Sequence, residues 1–171
     1  MQERHNEAFE GDAKLTVIGP KLQPGDPAPD FVLDILEPGA AFAREVRLSD
    51  SNGRVRILNV INSIDTPVCH LETQKWQQLR NRLPKNAEVY TVSMDLPFAL
   101  LRWSADENVD HPMLSSHRSE EFGADYGVLL KEWRLLQRAV FIIDEDNRIK
   151  HAEYVADQML EPDYDQALQS L

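Results

Sequence analysis

The residues best placed to do chemistry in this 171-residue chain surround its single cysteine, Cys69. They run Asn62-Ser63-Ile64-Asp65-Thr66-Pro67-Val68 immediately before it. Thr66 is a favoured helix N-cap type. Pro67 suits the first helical position, where its missing N–H would have had no partner. Cys69 then falls at the third helical position, inside the first turn. Free amide N–H groups and the positive end of the helix dipole point into that turn and favour a thiolate. Placement alone leaves two readings open: a reactive nucleophile, or a small buried hydrophobe, the commonest fate of a lone cysteine. With only one cysteine, an intramolecular disulfide and any Cys-rich zinc or iron–sulfur site are excluded.

The elements that must position this turn can be read on either side of it. Asn52–Gly53 is a turn signal, and Arg54–Ile61 follows as a strand whose nearly continuous apolar run suits a central position covered on both faces. From Thr66 the spacing of Val68, Leu71, Trp76, Leu79 and Leu83 predicts a helix that Pro84 stops. Ala87–Met94 reads as a strand, Phe98–Glu107 as a helix, Pro112–Leu114 as a short segment and Ser119–Tyr126 as a small helix. Ala139–Asp144 and Arg148–Val155 form a hairpin across Glu145-Asp146-Asn147. A closing helix puts Tyr164, Ala167, Leu168 and Leu171 on one face behind Pro162. Upstream, Ala13–Gly19 is strand-like and Lys21–Phe31 is extended chain held out of helix by its prolines. Residues 1–12 read as a loose N-terminal arm before a single domain at 13–171. The order is α/β and matches a thioredoxin-like sheet, a βαβ half joined to a ββα half.

Composition narrows the partners. Eighteen Lys and Arg against 29 Asp and Glu leave a net charge of −11, which speaks against a phosphate-backbone partner. A hydrophobic content of 42% is that of a folding chain. The opening MQERHNEAFEGD is polar and acidic, unlike a signal peptide, and no apolar run reaches the ~20 residues of a membrane helix. The expectation is a soluble, cytoplasmic protein without membrane or nucleic-acid partners. His5, His70, His111, His117 and His151 show no metal-binding spacing, so no metal is expected, and His70 is expected to face solvent. Trp76, Trp103 and Trp133 read as core or interface anchors.

The segment Ser63–Cys69 resembles the peroxidatic motif of the thiol peroxidase branch of the peroxiredoxins. Gly25–Phe31 (GDPAPDF), Ser93–Leu100 (SMDLPFAL), Phe122–Asp144 and Glu161–Tyr164 (EPDY) resemble further segments of that family in the same order, from about Lys14 to the C-terminus. The resemblance implies a thioredoxin-like fold of peroxiredoxin type: a central mixed β-sheet flanked by helices, with an N-terminal β-hairpin. It implies that a Cys69 thiolate attacks a hydroperoxide and becomes a sulfenic acid, with no metal or organic cofactor. Thr66 would hydrogen-bond the thiolate and the peroxide. Arg138 would hold the thiolate and stabilise the transition state, as a fixed cationic fork can. Read without the resemblance, Thr66 is a helix cap and Arg138 an ordinary surface ion-pair partner. The resemblance also implies a homodimer.

Two positions depart from the family pattern. Asn62 stands where members usually carry proline, and its polar side chain either makes a new hydrogen bond near the sulfur or loosens the pocket. Ser104 stands where many members carry a resolving cysteine, so the cycle expected here uses one cysteine and an external thiol or a thioredoxin-type redox protein as reductant. The alternative is a redox sensor or interaction protein on a degenerate peroxidase fold with little turnover. A disulfide oxidoreductase is disfavoured, since Thr66 and Glu72 occupy the positions three before and three after Cys69.

Overall fold

The computed structural model describes all 171 residues. Its strands are β1 (Glu3–Glu10), β2 (Ala13–Ile18), β3 (Val32–Ile35), β4 (Arg44–Arg47), β5 (Val55–Val60), β6 (Ala87–Ser93), β7 (Met113–Ser115), β8 (Leu129–Leu130), β9 (Leu135–Leu136), β10 (Ala139–Ile143) and β11 (Ile149–Tyr154). The helices are α1 (Pro67–Leu79), α2 (Pro97–Glu107), α3 (Glu121–Asp125) and α4 (Tyr164–Gln169). No helix is long and apolar enough to cross a membrane.

A seven-stranded sheet runs in the order β11-β10-β5-β6-β7-β3-β4. Parallel pairing joins β5 to β6, Val55 opposite Ala87 through Val60 opposite Val92, and β6 to β7. The other neighbours are antiparallel, so the sheet is mixed. All six residues of β5 and all five of β10 are buried, as the nearly continuous apolar run of the first and the unbroken one of the second predict, and the burial of β5 includes Arg56 and Asn59. One face packs Leu58, Val60, Tyr90, Val92 and Phe141 against Phe122 and Tyr126. The other packs Ile57, Val89, Val140 and Ile142 against Trp76 and Leu79 of α1 and Ala167 of α4. Burying a large side chain in such layers contributes about 1.5–3 kcal/mol, which is what fixes α1 against the centre of the sheet.

The N-terminal residues are not a loose arm. Residues 3–10 form β1, which pairs with β2 in a hairpin closed at Gly11, and β2 continues into a second sheet ordered β1-β2-β8-β9. The charges that suggested a free arm are used in place. Arg4 is buried and donates to the carbonyls of Gly19 and Gly127, while Glu7 accepts from Arg4 and Glu3 from Lys131. Ala8, Leu15, Val17 and Leu130 supply a small apolar core beneath them. The strand pair also reaches the main body, for the Phe9 N–H donates to Ala156 O and the Gln158 N–H to Phe9 O.

Gly127 shows how tightly this junction closes. Its φ is +63°, and a Cβ there would run into the Pro20 carbonyl and the Arg4 guanidinium. A G127A variant is expected to lose about 2 kcal/mol or more, read as a lower urea midpoint. An unchanged midpoint would show that the junction yields easily.

Candidate active site

The loop between β5 and α1 carries the sequence from Ile61 to Thr66, and Asp95, just past the end of the parallel neighbour β6, holds it. Ser63 Oγ donates to Asp95 Oδ1 and the Ile64 N–H donates to Asp95 Oδ2, both at 2.8 Å, while Ser93 Oγ donates to the same Oδ2. This carboxylate bridges two adjacent strand ends and fixes where α1 begins. Thr66 is the N-cap residue and Pro67 opens the helix, as the sequence predicts. Its hydroxyl, however, makes no capping bond and none to the cysteine: it donates to the Ser63 carbonyl at 2.9 Å. The acceptor three residues back lies within reach of this local turn, and it takes the single proton that the threonine has to give.

Cys69 is fully buried, at 0% exposure, among Ile61, Ile64, Leu100, Trp103, Val109 and Met113. Its sulfur lies 3.4 Å from Arg138 Nη1 and 3.9 Å from Asn62 Oδ1. Arg138 is not a surface ion-pair partner but is itself buried, immediately ahead of β10. Its Nη1 donates to Glu72 Oε2 at 2.5 Å, and its Nη2 donates to Gln158 O at 2.7 Å and to Asn62 Oδ1 at 3.3 Å. Three acceptors from three segments therefore orient one guanidinium, whose charge persists even in this dry setting.

Glu72 lies one helical turn after Cys69 on the same face of α1 and is wholly buried. Burial pushes its carboxyl up to about 8, against the pull of the Arg138 guanidinium. Its second oxygen, Oε1, has no hydrogen-bond partner, which further disfavours the charged form. The more Glu72 is pushed towards its neutral form, the more of the positive charge of Arg138 is left to the sulfur. Sequence reasoning missed Glu72, Asp95 and Gln158 as members of this site.

Asn62 and Ser104, the two positions expected to depart from the family pattern, sit in different settings. Asn62 is buried at the centre of the site, and it donates through Nδ2 to Leu136 O at 2.6 Å and to Gln158 Oε1 at 3.0 Å. Its side chain thus makes hydrogen bonds inside the site. Ser104 sits on α2 with its hydroxyl donating to Leu101 O at 3.0 Å. His70 does not simply face solvent. Its Nδ1 accepts from Trp103 Nε1 at 3.1 Å, and the two rings meet edge to face with centroids 5.2 Å apart. An indole N–H can only donate, so Nδ1 carries no proton. Trp76 and Trp103 are buried anchors, whereas Trp133 is half-buried against the N-terminal hairpin.

A buried thiol with a fixed guanidinium beside it, at the start of a helix and at the end of a central strand, is suited to nucleophilic attack that develops negative charge on oxygen. Comparison with known proteins agrees with that chemistry. A thiol peroxidase of Oceanobacillus iheyensis is 40% identical over 167 residues, covering 97% of this chain and 98% of its own. One from Streptococcus sanguinis is 43% identical over 155 residues, covering 90% and 91%. The crystal structure of a peroxiredoxin-like protein from Aquifex aeolicus superposes with a TM-score of 0.85 at 29% identity, over 99% of this chain and 96% of that one. The fold is therefore the peroxiredoxin form of the thioredoxin-like fold. Residues 24–152 match the AhpC/TSA family, and with these relatives the chain belongs to that family.

Proposed function

We propose that this protein is a thiol-dependent peroxidase that reduces hydrogen peroxide or small organic hydroperoxides through a one-cysteine cycle. The observation that carries this reading is the Arg138 guanidinium held 3.4 Å from Cys69 Sγ at the first turn of α1. The Cys69 thiolate attacks the terminal oxygen of the hydroperoxide. An S–O bond forms with two sulfur electrons as the O–O bond breaks, leaving Cys69 as a sulfenic acid. The departing alkoxide or hydroxide takes up a proton and leaves as alcohol or water. Arg138 favours the thiolate and then faces the negative charge that develops on oxygen. Thr66 spends its proton on Ser63, so its hydroxyl oxygen serves as an acceptor for the O–H of the incoming peroxide.

With serine at position 104, no second thiol of this chain can close the cycle. An external thiol, a small molecule or a thioredoxin-type protein condenses with the sulfenic acid, releasing water. A second thiol then reduces the mixed disulfide. Cys69 must remain reduced between turnovers, which fits a cytoplasmic setting. A homodimer fits the exposed Leu96 and Phe98, which follow directly on the Asp95 that holds the cysteine loop.

Intact mass spectrometry after one equivalent of peroxide tests the reading. One added oxygen is expected, trapped by a sulfenic-acid reagent in the wild type and absent in C69S; no oxygen or trap adduct on the wild type would refute it. The complete burial of Cys69 favours a second reading, a slow redox sensor, which multiple turnovers with peroxide and thiol in excess would rule out.

A further inference from the structure

Asn62, which stands where the family resemblance leads one to expect proline, lies 3.9 Å from the sulfur, and its amide orientation is dictated by what surrounds it. On one side stand two groups that can only accept, Leu136 O and Gln158 Oε1, at 2.6 and 3.0 Å from Nδ2. On the other stands a group that can only donate, Arg138 Nη2, 3.3 Å from Oδ1. The reverse orientation would oppose donor to donor and acceptor to acceptor. Gln158 is fixed by the same logic. Its Nε2 donates to Val155 O at 2.7 Å and to Ala156 O at 3.1 Å, while its Oε1 accepts from Asn62 and, at 2.9 Å, from the Arg138 backbone N–H. Both carboxamides are almost completely buried.

This arrangement has a consequence for the nucleophile. The negative end of the Asn62 carbonyl is 3.9 Å from the sulfur. It accepts weakly from a thiol S–H but opposes a thiolate, and the guanidinium that it holds through Nη2 already faces the sulfur through Nη1. We infer that the Asn62–Gln158 carboxamide pair is a positioning device that anchors Arg138 while restraining ionisation of Cys69, so that the sulfur is less readily a thiolate here than with proline at position 62. The inference rests on the peroxidase reading for its importance but not for its test.

The experiment is a pH titration of the ultraviolet thiolate absorbance of Cys69, with C69S as the blank, in wild type, N62P and N62D. Asn62 lies past the end of β5, where its backbone N–H donates to no carbonyl, so proline costs no backbone hydrogen bond. N62P is expected to ionise with a midpoint about half to one pH unit lower than wild type, the scale of one hydrogen bond. N62D, with an acid oxygen in the same place, is expected to move the midpoint upward. Other charged or titratable groups about the sulfur are Arg138 and Glu72, Asp95 behind the loop, and His70 with Glu107 beyond Trp103. Behind Glu72 stand Glu153, Glu161 and Tyr164. All are common to the three proteins, so the differences report position 62. A merely structural role would weaken folding without moving the midpoints in opposite directions. An N62P midpoint equal to or above that of wild type overturns the inference, and N62P alone decides it if N62D does not fold. Peroxide oxidation of the wild type, followed separately, tests the reading beneath it. A wild type that titrates as expected but never gains oxygen would sink that reading and leave this one standing.

Discussion

An R138M variant is expected to react with peroxide about 10²–10³-fold more slowly than the wild type, the scale on which removing one fixed donor to a developing oxyanion acts. Arg138 Nη1 is shared between the Cys69 sulfur and Glu72, so the substitution takes away both the cation that favours the nucleophile and the partner of a buried carboxyl. Stability should fall with it. Breaking a buried pair from one side costs about 3–5 kcal/mol, and here the lower end applies because Glu72 is already inclined to take up a proton.

The two losses can be separated. Replacing both partners by apolar groups of similar size is often neutral for a buried pair, so R138M/E72M should recover most of the stability lost by R138M. Its rate with peroxide should not recover, since no cation faces the sulfur in either protein. The check is a stopped-flow rate beside a urea titration for both variants, with C69S as the inactive reference. If the double variant regains reactivity together with stability, Arg138 is a structural strut and its assigned chemistry is wrong. R138K keeps the charge but not the planar fork that reaches Glu72, Asn62 and Gln158 at once, and should fall between wild type and R138M.

How far the site could be read beforehand depended on the range of the interactions. Cys69 was legible because its setting is local: Thr66 and Pro67 mark a helix start whatever the rest of the fold does. Glu72 was not, because an acid inside a helix reads as solvent-facing, and only Arg138, 66 residues away, accounts for its burial. Gln158 lies beyond the end of β11, where no periodicity marks it, and Asp95 acquires its role only because β5 and β6 pair in parallel and end side by side. Family likeness located Arg138; nothing in its own neighbourhood distinguished it from a surface arginine.

The fold divides in the same way. β5, β6 and β10 announced themselves by runs of apolar residues, as strands covered on both faces do. The edge pair β3–β4 did not. Asp34 interrupts it, and that acid is tolerated in a buried position because Arg118, 84 residues on, donates to both its oxygens. β8 and β9 have two residues each, too few for any period to show. In β1 the alternation is broken by the bulge between His5 and Ala8, with Asn6 at a φ of +59°, and the buried face is too sparse to outweigh the charges.

Stability is expected to form a plateau in mildly acid solution and to fall on both sides, with different residues responsible for each limb. On the acid side stands His111, fully enclosed, with Nδ1 donating to Gln77 Oε1 and Nε2 accepting from the Thr91 hydroxyl, which in turn accepts from Asn59. Burial, with Arg80 nearby, pushes its imidazole from 6.5 down to about 3. The unfolded chain therefore binds a proton that the native state refuses, so the contribution of His111 is present above about 6.5 and is lost as pH falls towards about 3. Glu72 has the opposite sign. Raised from 4.5 to about 8, it holds a proton in the native state that the unfolded chain has released, so its contribution is complete below about 4.5 and is lost as pH climbs to about 8. Each slope is on the order of 1.4 kcal/mol per pH unit, and between about 4.5 and 6.5 the two oppose each other and cancel. Denaturant titrations across pH should show H111Q losing much of the acid limb and E72Q the decline between about 6.5 and 8, each leaving the other limb in place. Curves for both variants that run parallel to the wild type at every pH would mean that neither buried group titrates as its surroundings dictate.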